Sequence, residues 1–228
     1  MAEMTLPAGG STYPVALDVT PQLTDRNRLT VLVRFILAIP HLILVGGPWW
    51  VASSLAIFFS PFRDDDRLNF WGGSGLIGFA AAIVAVIAWF TIVFARTHPR
   101  SLWDFKWFYL RWRVNAVAYM SLLRDEYPPF GAKTEYPVQF DVSYPEEKRE
   151  WLSVFLRILY VIPHVIVLIF LGLAWGVVSV IAWVAILVTG SYPQALYEFS
   201  VGVFRWSLRV EAYALLMRDE YPPFSFDP

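Results

Sequence analysis

Residues 151–189 read WLSVFLRILYVIPHVIVLIFLGLAWGVVSVIAWVAILVT, a run whose only basic residues are Arg157 and His164 and which has no acidic residue. As a single helix rising about 1.5 Å per residue it reaches roughly 55 Å, well beyond a hydrocarbon core of about 30 Å. The spacing therefore predicts a fold-back, with Gly172 and Gly176 at the turn between two short membrane spans. An earlier stretch reads the same way. Leu29 to Val45 forms a first span, Gly46-Gly47-Pro48 a break and Leu76 to Ala95 a second span, with Trp49-Trp50, Phe58-Phe59 and Phe70-Trp71 as interfacial anchors between them. A hydrophobic content of 57% against 16% charged residues places the chain outside the usual composition of soluble domains.

The two stretches belong to a repeat visible within the one sequence. Tyr13-Pro14-Val15 with Asp18-Val19 returns as Tyr136-Pro137-Val138 with Asp141-Val142, and at the same spacing Arg34 returns as Arg157 and Pro40-His41 as Pro163-His164. At a shorter spacing Arg111-Trp112 returns as Arg205-Trp206, and Arg124 to Phe130 (RDEYPPF) recurs unchanged as Arg218 to Phe224. The change of spacing gives the first copy about 29 extra residues between its apolar segments. The organisation read from this is a tail (1–12), repeat 1 (13–130) with an insertion at about 46–73, a linker (131–135), repeat 2 (136–224) and a tail (225–228).

The third element of each copy, about Leu102–Leu123 and Leu196–Met217, decides the topology. In the first copy it carries Asp104, Lys106, Arg111 and Arg113, each costing roughly 2.5–3.5 kcal/mol at mid-bilayer. It is therefore read as an amphipathic helix lying in the interface, with Trp103, Trp107 and Trp112 toward the acyl chains and the cations toward lipid phosphates. The resulting expectation is an all-α membrane protein of four transmembrane helices, two parallel tandem repeats of a hairpin plus an interfacial helix, with short cytoplasmic β segments possible where the Tyr-Pro-Val stretches pair. All Lys and Arg except Arg63 and Arg67 then fall on the side of the termini, which the positive-inside rule makes cytoplasmic. Residues 1–25 hold neither a signal peptide nor a transit peptide pattern.

Chemistry is sparse. There is no Cys and only three His; no phosphate-cradling loop and no nucleophile motif occurs, so neither an enzyme nor a cofactor is expected. A net charge of -1 removes the electrostatic case for nucleic acid. The intramembrane candidates are Arg34, His41, Arg157 and His164, since ionisable groups within a span are functional candidates by default. Their bland reading is that each Arg snorkels to headgroups while each His satisfies carbonyls freed by the preceding proline. Two sharper readings are a solute path lined by the four, and a b-type haem held between His41 and His164. Candidate lipid or partner contacts are Trp103, Trp107, Arg111, Trp112, Arg205 and Trp206, together with Arg124, Tyr127, Phe130, Arg218, Tyr221 and Phe224 of the repeated motif. Asp64-Asp65-Asp66 reads as a solvated run, with no metal expected.

Arg34 with Pro40-His41, Arg157 with Pro163-His164, Thr189-Gly190 with Tyr192-Pro193, Arg205-Trp206 and both RDEYPPF segments together resemble domain-of-unknown-function family 4389. The first copy departs from that pattern at Arg96-Thr97-His98-Pro99. The resemblance implies a bacterial cytoplasmic membrane location and supplies no activity. The functional expectation is a non-enzymatic accessory, assembly or lipid-binding subunit, partnered by membrane lipids and by other membrane subunits or further copies of itself. A carrier or channel and a haem protein are the alternatives.

Overall fold

Alternating apolar residues in the two Tyr-Pro-Val segments form strands, and the apolar runs form long helices. The computed structural model describes residues 13–48, 67–133, 135–145 and 149–227, with 67–74 described by backbone alone. In chain order these give β1 (Val15–Val19), α1 (Arg28–Val45), α2 (Arg67–Ala95), α3 (Arg100–Met120), β2 (Val138–Val142), α4 (Trp151–Phe155), α5 (Arg157–Thr189) and α6 (Gln194–Ala214). Trp49-Trp50, Phe58-Phe59, Arg63 and Asp64–Asp66 lie outside the described residues.

The expected strand pairing is present. β1 and β2 are antiparallel with Leu17 opposite Phe140, the residue to which Leu17 corresponds in the repeat. The Val15, Leu17, Val19, Val138, Phe140 and Val142 side chains are buried against α3 and α6, while Asp18, Gln139 and Asp141 face outward. On their other side α3 and α6 pack against α1, α2 and α5.

The turn expected at Gly172 and Gly176 does not form: α5 runs unbroken through both glycines, so the described residues hold three helices long and apolar enough to cross a membrane, not four. A turn there would leave the end groups of two helices without partners in hydrocarbon, at several kcal/mol each, whereas each glycine inside a helix costs only about 1 kcal/mol. The first copy differs because its insertion falls inside the same helix. By the repeat spacing Val45 matches Leu168 and Gly75 matches Ile169, the very next residue. Gly46 and Gly75, both at positive φ, are where the chain leaves the helix and rejoins it. A Cβ on Gly75 would lie 2.5 Å from Gly46 N and 2.6 Å from Leu44 O, so only glycine fits where the two backbones touch.

The copies are interlocked. Trp183 Nε1 in α5 donates to Val31 O in α1 (3.2 Å), and the corresponding Trp89 Nε1 in α2 donates to Val154 O in α4 (3.1 Å). Tyr13 OH donates to Glu220 O (3.0 Å), and Tyr136 OH to Glu126 O (2.9 Å). Each contact crosses from one copy to the other and is answered by its counterpart.

The interfacial reading of α3 and α6 also needs correction. Neither helix exposes a large apolar side chain, and Lys106, Arg111 and Arg113 are buried along with Trp103 and Trp112. The energetic argument against charges in hydrocarbon holds, but these charges meet protein partners instead of lipid phosphates.

Candidate functional site

Helices α3 and α6 end in tight turns with Leu122 and Leu216 at positive φ, which leaves their last carbonyls pointing outward. Buried cations fill those positions. Arg34 Nη1 donates to Tyr119 O (2.9 Å) and Arg124 O (3.0 Å), and Arg26 Nη2 to Leu122 O (2.6 Å). In the second copy Arg157 Nη1 donates to Tyr213 O (3.0 Å) and Arg218 O (2.6 Å), and Arg149 Nη2 to Leu216 O (3.1 Å). Positive charge at the negative end of a helix dipole is favourable, and more so when buried.

One carboxylate from each RDEYPPF motif closes each cluster. Asp125 accepts from Arg26 Nη2 and Arg34 Nη2, both at 2.6 Å, and Asp219 accepts from Arg149 Nε and Arg157 Nη2, both at 2.6 Å. Burial alone would raise these carboxyl pKa values, but the Arg26 and Arg149 hydrogen bonds and charges hold both below the ordinary range. Arg34 and Arg157 are therefore clamped inside the protein and do not snorkel.

The rest of the motif builds an aromatic cage. Trp112 Nε1 donates to His41 Nδ1 (3.0 Å), and Phe130 stacks on the imidazole with centroids 4.6 Å apart. Trp206 Nε1 donates to His164 Nδ1 (3.1 Å), with Phe224 stacked at 3.9 Å. Tyr127 OH donates to Leu37 O (3.3 Å) and Tyr221 OH to Tyr160 O (3.2 Å), in the turns loosened by Pro40 and Pro163. Each tyrosine thus ties its motif to the carbonyl next to the one, Ile36 O or Leu159 O, that the proline leaves without a helical donor. Because Nδ1 accepts a hydrogen bond, each neutral ring carries its own proton on Nε2 and offers no lone pair there to an iron. The cages therefore do not fit the haem reading.

Of the contact candidates, Tyr127, Phe130, Tyr221 and Phe224 are about half exposed, while Trp103, Arg111, Trp112, Arg124 and Trp206 are buried. Trp107, Arg205 and Arg218 are intermediate. Arg124 pairs with Glu126, Arg218 with Glu220, and Arg205 donates to Leu17 O (3.2 Å) and Phe226 O (2.9 Å). Asp104 pairs with Arg100 four residues before it.

Several key residues were not singled out in the sequence. Asp125 and Asp219 sat unassigned inside the motif, although Arg26 recurs as Arg149 at the spacing that relates Arg34 to Arg157. Arg113 is a different case. It bonds Glu211 (3.0 Å), Val45 O (2.6 Å) and Gly47 O (2.8 Å), and no repeat signal marks it because the matching residue is Ser207. His98 and Lys106, 2.8 Å apart and buried, likewise match Tyr192 and Ser200. Among the described residues no group of three or more His, Asp or Glu side chains is placed to hold a metal.

Fold and clamps together define a duplicated, interlocked helical protein with three helices suited to a membrane, each copy locked by an Arg–Asp clamp beside a His–aromatic cage. The model of Domain of unknown function (DUF4389) matches residues 68–132 and 152–225, more than half of the chain, once in each copy. The chain belongs to that family. Neither a curated protein nor a solved structure matches it.

Proposed function

We propose that the protein is a non-enzymatic accessory, assembly or lipid-binding subunit of the bacterial cytoplasmic membrane, with both termini on the cytoplasmic side. One observation carries this reading: apart from Arg28 at the first position of α1, every large side chain exposed along α1, residues 75–95 of α2 and α5 is apolar or aromatic, while the buried charges of the clamps are used internally. The surface left for function is thus a broad apolar one, suited to acyl chains or to another membrane subunit. The contact between Tyr13 and Glu220 supports common placement of the two ends. A solute path has less support, since Arg34, His41, Arg157 and His164 each bond within their own copy. Extraction from the native membrane in a mild detergent, followed by native mass spectrometry, tests the proposal. A chain that runs alone, with neither retained lipid nor partner, would sink it.

A further inference from the structure

Resting on the membrane reading above, we infer that the long helices lie within one leaflet and do not cross the bilayer, so that the protein is an amphipathic slab seated on acyl chains. The argument starts from the symmetry of the contacts. Leu17 pairs with its own counterpart Phe140, and the bonds Trp183–Val31 and Trp89–Val154 exchange under the same relation, so an approximate twofold axis passes through the centre of the two-stranded sheet.

That axis has two possible settings. If it lay in the membrane plane, the sheet would sit at mid-depth, with Asp18, Gln139 and Asp141 turned outward into hydrocarbon at a cost of several kcal/mol each. If it lies along the membrane normal, the sheet and its carboxylates stand in water. The second setting is the one the exposed side chains permit.

A normal axis fixes the depth of the helix ends. It exchanges the start of α1 with the start of α4, so these two places lie at equal depth. α5 joins them. Its N-terminal end lies beside α4, where Arg96 at the end of α2 sits over Trp151 at 5.9 Å, and its C-terminal end meets the start of α1, where Arg26 N donates to Gly190 O (3.1 Å). A continuous helix of 33 residues, roughly 50 Å long, with both ends at one level runs along the membrane and not through it. Its burial pattern agrees. His164, Leu168, Trp175, Ala182 and Ile186 form a stripe turned inward, and the remaining surface, including Phe170, Leu173, Val177 and Val180, is exposed and apolar. The half-exposed Tyr127, Phe130, Tyr221 and Phe224 then flank the helices as interfacial aromatics.

The absence of Cys makes a direct test simple. Glu150→Cys and Ala195→Cys mark the two ends of α5, and Val177→Cys marks its middle; each is placed in the full-length chain, in sealed vesicles. An impermeant maleimide is expected to label the two end positions from the same side and Val177 from neither. A bimane on Val177 is expected to be quenched best by doxyl groups high on the acyl chain. Labelling of the two ends from opposite sides, or strongest quenching by a doxyl group at the acyl terminus, would overturn the inference while leaving the membrane role intact. Release of the protein by carbonate together with free labelling of Val177 would instead strike at the membrane role itself. A variant that fails to fold is replaced by Thr97→Cys or Gln194→Cys, which probe the same two ends.

Discussion

The two copies solve one problem with different means. In the second copy a single helix passes from Leu168 to Ile169 and needs no help, so position 207 is a serine whose hydroxyl bonds Phe204 O (2.8 Å). In the first copy the insertion cuts the helix at that same point and frees carbonyls at its end. Arg113, at the position matching Ser207, reaches across to Val45 O and Gly47 O, and Glu211 of the other copy balances its charge. An insertion in one element has thus been answered by a buried ion pair between two others. Interruption of a long apolar helix is tolerated where a cation can take over the orphaned carbonyls and find a carboxylate in turn.

The largest expected effect tests what the copies share. Asp219→Asn leaves Arg149 and Arg157 buried without a counter-charge, a loss of about 3–5 kcal/mol. Asp125→Asn is expected to cost less, because Arg26 keeps bonds to Gln22 O and Leu122 O whereas Arg149 Nη1 has no partner. Thermal unfolding in mild detergent orders the two, and equal losses would mean that the clamps are equivalent despite that difference. Next comes the asymmetry itself. Arg113→Ala is expected to cost about 3 kcal/mol by stranding Glu211 and the α1 carbonyls, while Ser207→Ala costs less than about 1 kcal/mol. Similar losses at the two positions would remove the repair argument.

A third effect depends on pH. Burial, then Lys106 and Arg149, push His98 down to about 3, and burial, then Arg149 and Arg157, place Lys106 well below its ordinary value. The closed pair holds at most one proton, while the separated groups hold two once the pH falls below about 6.5. Both folded values are lowered for bases, so stability falls as pH drops, for Lys106 from its ordinary value of 10.5 downward and for His98 from 6.5 toward 3. Asp219, whose own value is lowered, keeps its contribution down to its ordinary value of 3.8 and loses it progressively below that. If the pair separates by local opening, His98 alone is expected to weaken closure about 30-fold between pH 7.5 and 5. Hydrogen exchange near Leu215, the acceptor of Lys106 Nζ, reads this step. Importing the second copy's residues as His98→Tyr with Lys106→Ser should flatten the profile, and an unchanged profile would place the pH sensitivity elsewhere.

What could be read from sequence follows from what repeats. Arg34 and His41, the RDEYPPF motif and the strand pair all recur, and each lies in a matched contact. The unbroken α5 is not legible, because a run longer than the bilayer core suggests two spans whereas helix length is not bounded by bilayer thickness. The burial of α3 and α6 is hidden for a related reason: the partners of Lys106 and Arg113 are neither lipid nor water but carbonyls at the ends of neighbouring helices, which only the fold brings close. Glu211 and Arg113 stand 98 positions apart on helices of different copies, and no spacing rule joins them.

The smallest effect concerns a single backbone angle. α5 ends at Gly190 with φ 76°, while the matching residue at the end of α2 is Arg96 with φ 55°. A side chain in that region costs about 1 kcal/mol, so Arg96→Gly should stabilise the protein by up to that amount, less whatever the contact of Arg96 with Trp151 contributes. Gly190→Ala should cost about 1 kcal/mol, since the new Cβ would also lie 3.2 Å from Arg28 Nη2. Melting temperatures then move in opposite directions for the two substitutions. Should Arg96→Gly lower the melting temperature instead, the guanidinium over Trp151 would outweigh backbone strain. The junction of α2 with α4 would then be held by a side chain where its counterpart, between Gly190 and Arg26, is held by the main chain.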